Sequence, residues 1–278
     1  METYIKPLVS ILMPTFNRAN MIGMAIKSIL KQNYENWELL IIDNESTDNT
    51  KEEVEKFSKV DERVKYFYVK KNPQIGIADY LNYGINISNG KYIARLDDDD
   101  EWHDPDKLNK QVNFLENNED YVVVGGGAIM IDGNRKEIFK FLKRETDSEI
   151  RNHALFANPF VHNTVLFRKE VALKVGGYKQ LKYIEDWDLW LRLGNVGKLY
   201  NFQEYFSLYM NAGQNRSLDN QKLTAKIILQ YLMLYRNDYP NFKKAYALNY
   251  LQYLFSFLPS FFKRRVENFL FFIKRNYF

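Results

Sequence analysis

Two short apolar runs near the start of the chain, LVSILMP and WELLIID, are rich in β-branched residues and end at Pro14 and Asp43. They read as buried strands. Between them, MIGMAIKSILKQN places Ile22, Ala25, Ile26, Ile29 and Leu30 at helical spacing. After Asp43, ESTDNTKEEVEKF supplies Ser and Thr caps followed by acidic residues, the signal of a helix start. VKYFYV, then IADYLNYGINI, then GKYIARL repeat the alternation. Strand, helix, strand, helix, strand predicts an α/β fold with a mostly parallel sheet covered by helices on both faces.

The pattern then changes. DPDKLNKQVNFLENN reads as a helix entered through Pro105, and YVVVGGGAIMIDGNRKEIF as a strand and hairpin turning at Asp132-Gly133. The GGG of residues 125–127 is no dinucleotide fingerprint, because no glycine-spaced loop joins a first strand to a helix; packing is its expected role. VHNTVLFRKEVALKVGGY and EDWDLWLRLGNVGKLYNF complete a main body over 1–217, and 218–278 reads as a helical extension.

Charge separates that extension further. From residue 241 onward seven basic residues face Glu267 alone, a net +6 that leaves −2 for the first 240 residues, and 13 of the 44 aromatics fall in these last 38. A nucleic-acid surface would not explain why those aromatics are mostly Phe clustered with Leu. An anionic membrane surface explains both, with amphipathic helices lying on it, since Pro259 and the basic residues interrupt any spanning run. The alternative is that the aromatics pack on the main body or a second subunit. There is no cysteine, which excludes disulfides, thiolate metal sites and a cysteine nucleophile. The first residues, METYIKPLVSILMPTF, read as a mature start without an export signal.

The candidate chemistry sits where the strands end. In parallel α/β sheets ligands bind beyond the carboxyl ends of the strands, so PTFNR, DNESTD and DDDDEW should meet in one crevice. Continuing the strand through the four aspartates would put Asp97 and Asp99 on one face and Asp98 and Asp100 on the other. Same-face carboxylates about 7 Å apart repel by roughly 2 kcal/mol at an effective dielectric near 20. A hard divalent cation, Mg²⁺ or Mn²⁺, completed by water and a substrate phosphate, would relieve that repulsion. The rival reading is a solvated acidic loop with Asp104 or Asp106 capping the next helix.

The order of these motifs resembles the large inverting glycosyltransferase family with the GT-A fold, over roughly residues 8–217. The resemblance implies a nucleotide-sugar-binding half over 1–120 and an acceptor-binding half over 121–217. It implies donor contacts from Pro14, Thr15, Asn17, Arg18, Asp43, Asn44, Asn72, Gly76, Asn82, Asp97 and Asp98, with Asp97 facing the nucleotide. Asp99 would bind the Mn²⁺ or Mg²⁺ that bridges the donor diphosphate. On the acceptor side it implies His162, Asn163, Glu185 and Trp187, with Asp186 as catalytic base. Asp188 in the same segment is assigned only a helix-start role, so that its substitution by Asn should leave transfer near normal.

The resemblance further implies a nucleoside-diphosphate sugar, UDP first, and a saccharide or lipid-linked acceptor. The place of work would be the cytoplasmic face of the cell membrane. Two positions depart from the family pattern: Asn44 stands where a second aspartate is common, and Ala212 where a histidine is common, with Asn211, Asn215 or Arg216 as substitutes. They keep two rivals in view, another metal-dependent nucleotide enzyme such as a nucleotidyltransferase, and a nucleotide-sugar-binding subunit without chemistry.

Overall fold

The apolar runs become four parallel strands, β1 (Val9–Thr15), β2 (Trp37–Asp43), β3 (Val64–Tyr68) and β4 (Tyr92–Arg95), lying side by side in the order β3-β2-β1-β4. This is a computed structural model, and it describes residues 6–70, 76–210 and 221–257. Every residue of β1 and β2 is buried, which is why both read as largely apolar runs. Alternation along β1 sends Val9, Ile11 and Met13 to one face, where Ile22, Ala25, Ile26 and Ile29 of α1 (Ile22–Leu30) and Val54 of α2 (Thr50–Ser58) cover them. Leu12 goes to the other face, against Ala78, Leu81 and Ile85 of α3 (Ile77–Ile87).

Beyond β4 the sheet turns mixed. β8 (Leu166–Arg168) runs antiparallel between β4 and β6 (Tyr121–Ile131), while β9 (Lys198–Met210) pairs parallel with β6 and antiparallel with the short β5 (Glu101–Trp102). β7 (Glu137–Phe141) folds back on the far half of β6. The covering helices are α4 (Lys107–Asn117), α5 (Asp147–His153), α6 (Lys169–Lys174) and α7 (Glu185–Gly194). The α/β class, with its parallel half, stands as the pattern predicted.

Two local expectations are corrected. The 132–136 connection is longer than an Asp-Gly turn: the Asp132 amide donates to the Lys136 carbonyl at 2.9 Å, and the left-handed residue is Arg135, at φ 63°, not Gly133. The four aspartates do not continue a strand. β4 stops at Arg95, and the Asp100 amide reaches back to the Asp97 carbonyl at 3.3 Å, so the cluster is a turn. The triple glycine, by contrast, has the packing role expected of it. A Cβ on Gly126 would stand 2.4 Å from the Phe206 ring, and one on Gly125 would stand 2.6 Å from Phe160.

The extension supplies α8 (Gln221–Leu232), a 3-10 turn over Met233–Tyr235 and α9 (Phe242–Phe255). Tyr231, Leu232, Tyr235, Tyr239 and Ala245 form a buried cluster with Ala154, Leu155, Ile184, Trp187 and Leu191 of the main body. Phe242 and Tyr246 pack against this cluster, so part of the aromatic excess after residue 241 is spent on internal packing. α9 is not the simple amphipathic helix expected: its buried positions are the small or polar Ala245 and Asn249, while Tyr250, Leu251 and Leu254 are exposed. No described helix is long and apolar enough to cross a membrane. Residues 258–278, which carry the rest of the predicted membrane contact, lie outside the described residues.

Candidate active site

Strand order reverses between β1 and β4, the place where open α/β sheets form a ligand crevice. Leu12 lies opposite Arg95, so the PTFNR segment and the aspartate turn leave the sheet side by side. Pro14 and Thr15 close β1 in register with Ile42 and Asp43. Asn17, in the left-handed region at φ 53°, locks onto the loop after β2: its amide donates to Ser46 Oγ at 2.8 Å and its Oδ1 accepts from the Thr47 amide at 2.8 Å. Asp43 is buried, accepting from the Ser46 amide at 2.8 Å and from the Tyr66 hydroxyl at 2.5 Å. Asn44 accepts from the Tyr80 hydroxyl. Gly76 opens α3, its amide bonded to Asp79 at 2.9 Å, and Asn72 lies outside the described residues, as do Asn211, Ala212, Asn215 and Arg216.

Two arginines answer the repulsion of the aspartates. Arg95, only 2% exposed, donates to the Leu12 carbonyl at 3.2 Å, to the Leu96 carbonyl, and to Asp97 at 2.5 Å. Arg18 leans over the turn from the opposite loop, 3.5 Å from Asp98 and 3.8 Å from Asp99. Burial works against ionisation of Asp97, but the Arg95 charge and hydrogen bond outweigh it and hold the carboxyl below the usual range. Asp98 is pushed up to about 7 by burial, with Asp99 and Asp97 adding to the effect, and Asp99 is raised by burial and by Asp97.

Asp100 belongs to the framework. It is buried, accepting from the Met210 amide at the end of β9 at 2.7 Å and from the Asn163 side chain. Asn163, 1% exposed, also accepts the Asp97 amide at 3.0 Å through its Oδ1, and its carbonyl takes the Trp102 indole N–H at 2.9 Å. With both amide ends committed beneath the turn, Asn163 positions the aspartates; the acceptor contact expected of it is corrected on that ground. Asn82 is likewise spent on a clamp, exchanging hydrogen bonds of 2.7 and 2.8 Å with the backbone of Tyr178. Trp187, 5% exposed, donates to the Ala154 carbonyl at 2.7 Å and packs in the core.

The other wall is the first turn of α7. Asp186 accepts from Asn158 at 2.6 Å on Oδ2 and from the Trp187 amide at 2.7 Å on Oδ1. Glu185 beside it is pushed up to about 7 by burial and by the Asp186 charge, and its buried Oε2 has no protein partner. His162 packs on Trp190 and stands 2.9 Å from the Tyr178 hydroxyl. Burial, then the Arg95 charge, lower it to about 4, so it is a neutral imidazole at pH 7. The charges of Asp97 and Asp186 both act on His162, Tyr178, Glu185 and Tyr209, or through their neighbours, which places the two walls in one electrostatic unit.

Asp188 overturns the role read for it. It is fully buried and accepts from Arg192 at 2.7 Å, from the Tyr235 hydroxyl at 2.8 Å and from the Tyr231 hydroxyl. A carboxylate with that many buried partners is a structural hub, and its substitution by Asn is no neutral control. Sequence reasoning also missed Arg95, Asn158, Tyr178 and Tyr209. Arg95 carried a signal, a cation inside the apolar run YIARL; the others come from distant segments with none.

Residues 10–175 match the family model described as Glycosyl transferase family 2. The chain belongs to this family. Its relatives include the putative glycosyltransferase EpsE of Bacillus subtilis, 34% identical over 71% of each chain. A second is the GalNAc(5)-diNAcBac-PP-undecaprenol beta-1,3-glucosyltransferase of Campylobacter jejuni, 30% identical over 82% of this chain and 73% of that one. Among solved structures, S. aureus TarS in complex with UDP-GlcNAc superposes with a TM-score of 0.69 at 17% identity, covering 90% of this chain and 73% of that one. The mannosyltransferase PcManGT of Pyrobaculum calidifontis, in complex with GDP-Man and Mn²⁺, gives 0.64 at 19% identity, over 90% and 70%. These structural likenesses establish the GT-A fold of this glycosyltransferase.

One pH dependence follows from His162. Its folded value lies below the ordinary 6.5, so its contribution to stability is present above pH 6.5 and is lost as pH falls toward 4. The melting-temperature gap between wild type and His162→Gln should therefore narrow over that window in a thermal-shift series. A constant gap would contradict the buried neutral imidazole.

Proposed function

We propose that the protein is an inverting, divalent-metal-dependent glycosyltransferase that moves a sugar from a nucleoside-diphosphate donor to a hydroxyl of a saccharide or lipid-linked saccharide during cell-surface polysaccharide synthesis. The observation that carries this is the Arg18-capped aspartate turn at the sheet's switch point, with the charges of Asp97 and Asp186 both acting on His162 and Glu185. TarS with UDP-GlcNAc and PcManGT with GDP-Man both hold nucleotide sugars, and a UDP-sugar is our first choice for this chain. The undecaprenol-linked acceptor named for the Campylobacter relative supports a lipid-linked one here.

The residues fit a hard cation. Asp98 and Asp99 are oxygen donors whose ionisation burial and mutual repulsion oppose, as expected of carboxylates awaiting a positive charge. Among the described residues no three His, Cys, Asp or Glu side chains group to hold a metal, so the proposed Mg²⁺ or Mn²⁺ would be held by one or two carboxylates with water and substrate phosphate. Asp99 is the proposed ligand; when bound, the ion neutralises charge developing on the leaving diphosphate. Arg18, which caps the same aspartates, is the proposed cationic partner of the diphosphate. Asp186 takes the proton of the acceptor hydroxyl as that oxygen bonds to the anomeric carbon and the carbon–diphosphate bond breaks, its electron pair leaving on the diphosphate. Asn158 fixes the carboxylate for that transfer, and Glu185 and His162 flank it on the acceptor side.

Membrane contact belongs to the same reading. α9 exposes Tyr250, Leu251 and Leu254 beside Lys243 and Lys244, an apolar patch with cations suited to anionic headgroups on the cytoplasmic face of the membrane.

Three outcomes test these assignments. Nucleotide sugars should raise the melting temperature more with Mn²⁺ or Mg²⁺ than with chelator, and Asp99→Ala should erase that increment; full metal-dependent binding in the variant would remove Asp99 as ligand. Asp186→Asn should lower turnover by roughly 10² to 10⁴-fold with donor affinity little changed, whereas retained turnover would place the base elsewhere. The assay follows free nucleoside diphosphate, since release of pyrophosphate instead would signal nucleotidyl transfer. The full chain should float with anionic liposomes and lose that association in Leu251→Glu/Leu254→Glu; equal flotation of the two proteins would sink the membrane assignment.

A further inference from the structure

α7 carries Glu185 and Asp186 in its first turn, and the C-terminal extension grips that helix through hydroxyl groups. The hydroxyls of Tyr231 and Tyr235 stand 2.9 Å apart and both donate to Asp188. One turn further on, the Tyr239 hydroxyl donates to the Leu191 carbonyl at 2.7 Å. All three tyrosines are buried. The network continues across α7: Arg192, paired with Asp188, donates to the carbonyls of Val175 at 2.6 Å and Gly177 at 2.7 Å. Those residues lead into Tyr178, whose hydroxyl meets His162.

Apolar contact between the extension and α7 is non-directional and leaves rotation and sliding of the helix weakly specified. Hydrogen bonds to one buried carboxylate are directional and fail steeply with misalignment. A proton acceptor displaced by about 1 Å loses on the order of 10²-fold in rate. The hydroxyl grip therefore acts where placement matters most.

We propose that Tyr231 and Tyr235 are positioning residues: by holding Asp188 they set the placement of the first turn of α7 and hence of the Asp186 carboxylate, which makes the C-terminal helices part of the transfer site's framework. This rests on the reading of Asp186 as the base.

The test compares the full-length Tyr231→Phe/Tyr235→Phe variant with Leu232→Ala, which removes packing from the same buried cluster without touching the hydroxyls. Both are assayed well below their melting temperatures. In the double variant, hydrogen exchange of the amides of residues 184–188 should quicken by about tenfold or more. Its turnover should fall by a similar factor while the dissociation constant for UDP-sugar with Mn²⁺ stays within about twofold. Leu232→Ala should keep near-normal turnover. Unchanged exchange in the double variant, or an equal loss of turnover in Leu232→Ala, would overturn the proposal. If the wild type turns over no nucleotide sugar, the reading of Asp186 fails, while the exchange arm still decides whether the hydroxyls position α7.

Discussion

Four adjacent carboxylates cannot sit in one turn unless something pins each of them, and this fold pins each differently. Arg95 rises from the last position of β4 and neutralises Asp97 while also binding the backbone of β1. Asp100 is tied down by Asn163 and by the end of β9. Asp98 and Asp99 face Arg18. Division of labour within one tetrapeptide thus links the two halves of the sheet: β1 and β4 come from the parallel half, and Asn163 and β9 from the mixed half.

The site's two walls are built on unequal foundations. One wall is a turn that springs from the strand ends, where Leu12 and Arg95 are in register. The other is the start of a helix, and a helix must be held from outside. Three grips serve that purpose: Trp187 on the Ala154 carbonyl, Arg192 on the 175–177 turn, and the tyrosine hydroxyls on Asp188. Beside Asp186, burial and that residue's charge raise the proton affinity of Glu185, so that Glu185 can carry a proton near pH 7 and donate a hydrogen bond.

The parallel half was legible because composition and burial agree there: a strand covered on both faces is mostly apolar, as β1 and β2 are apart from Ser10, Thr15, Glu38 and Asp43. The motif order likewise located the aspartate turn and the α7 start. Legibility failed where a short-range rule was extended past its domain. Alternation was carried through Asp97–Asp100 although the strand stops at Arg95, and the helix-start preference for acids was applied to Asp188 although its partners lie 43 and 47 residues away. Neither Tyr231 nor Tyr235 carries a local mark distinguishing it from the other aromatics of the extension. Asn163 sits in the right segment, but sequence gives no sign of which way its side chain turns.

That orientation bears on how this region could be re-engineered. Asn163 spends its carbonyl oxygen on a backbone amide and its NH₂ on a carboxylate, so an aspartate there would face Asp100 with like charge, and a leucine would strand both partners. Variants of this region should therefore hold position 163 fixed. In a site of this design the residue with the least freedom to vary lies one layer beneath the charged turn it supports.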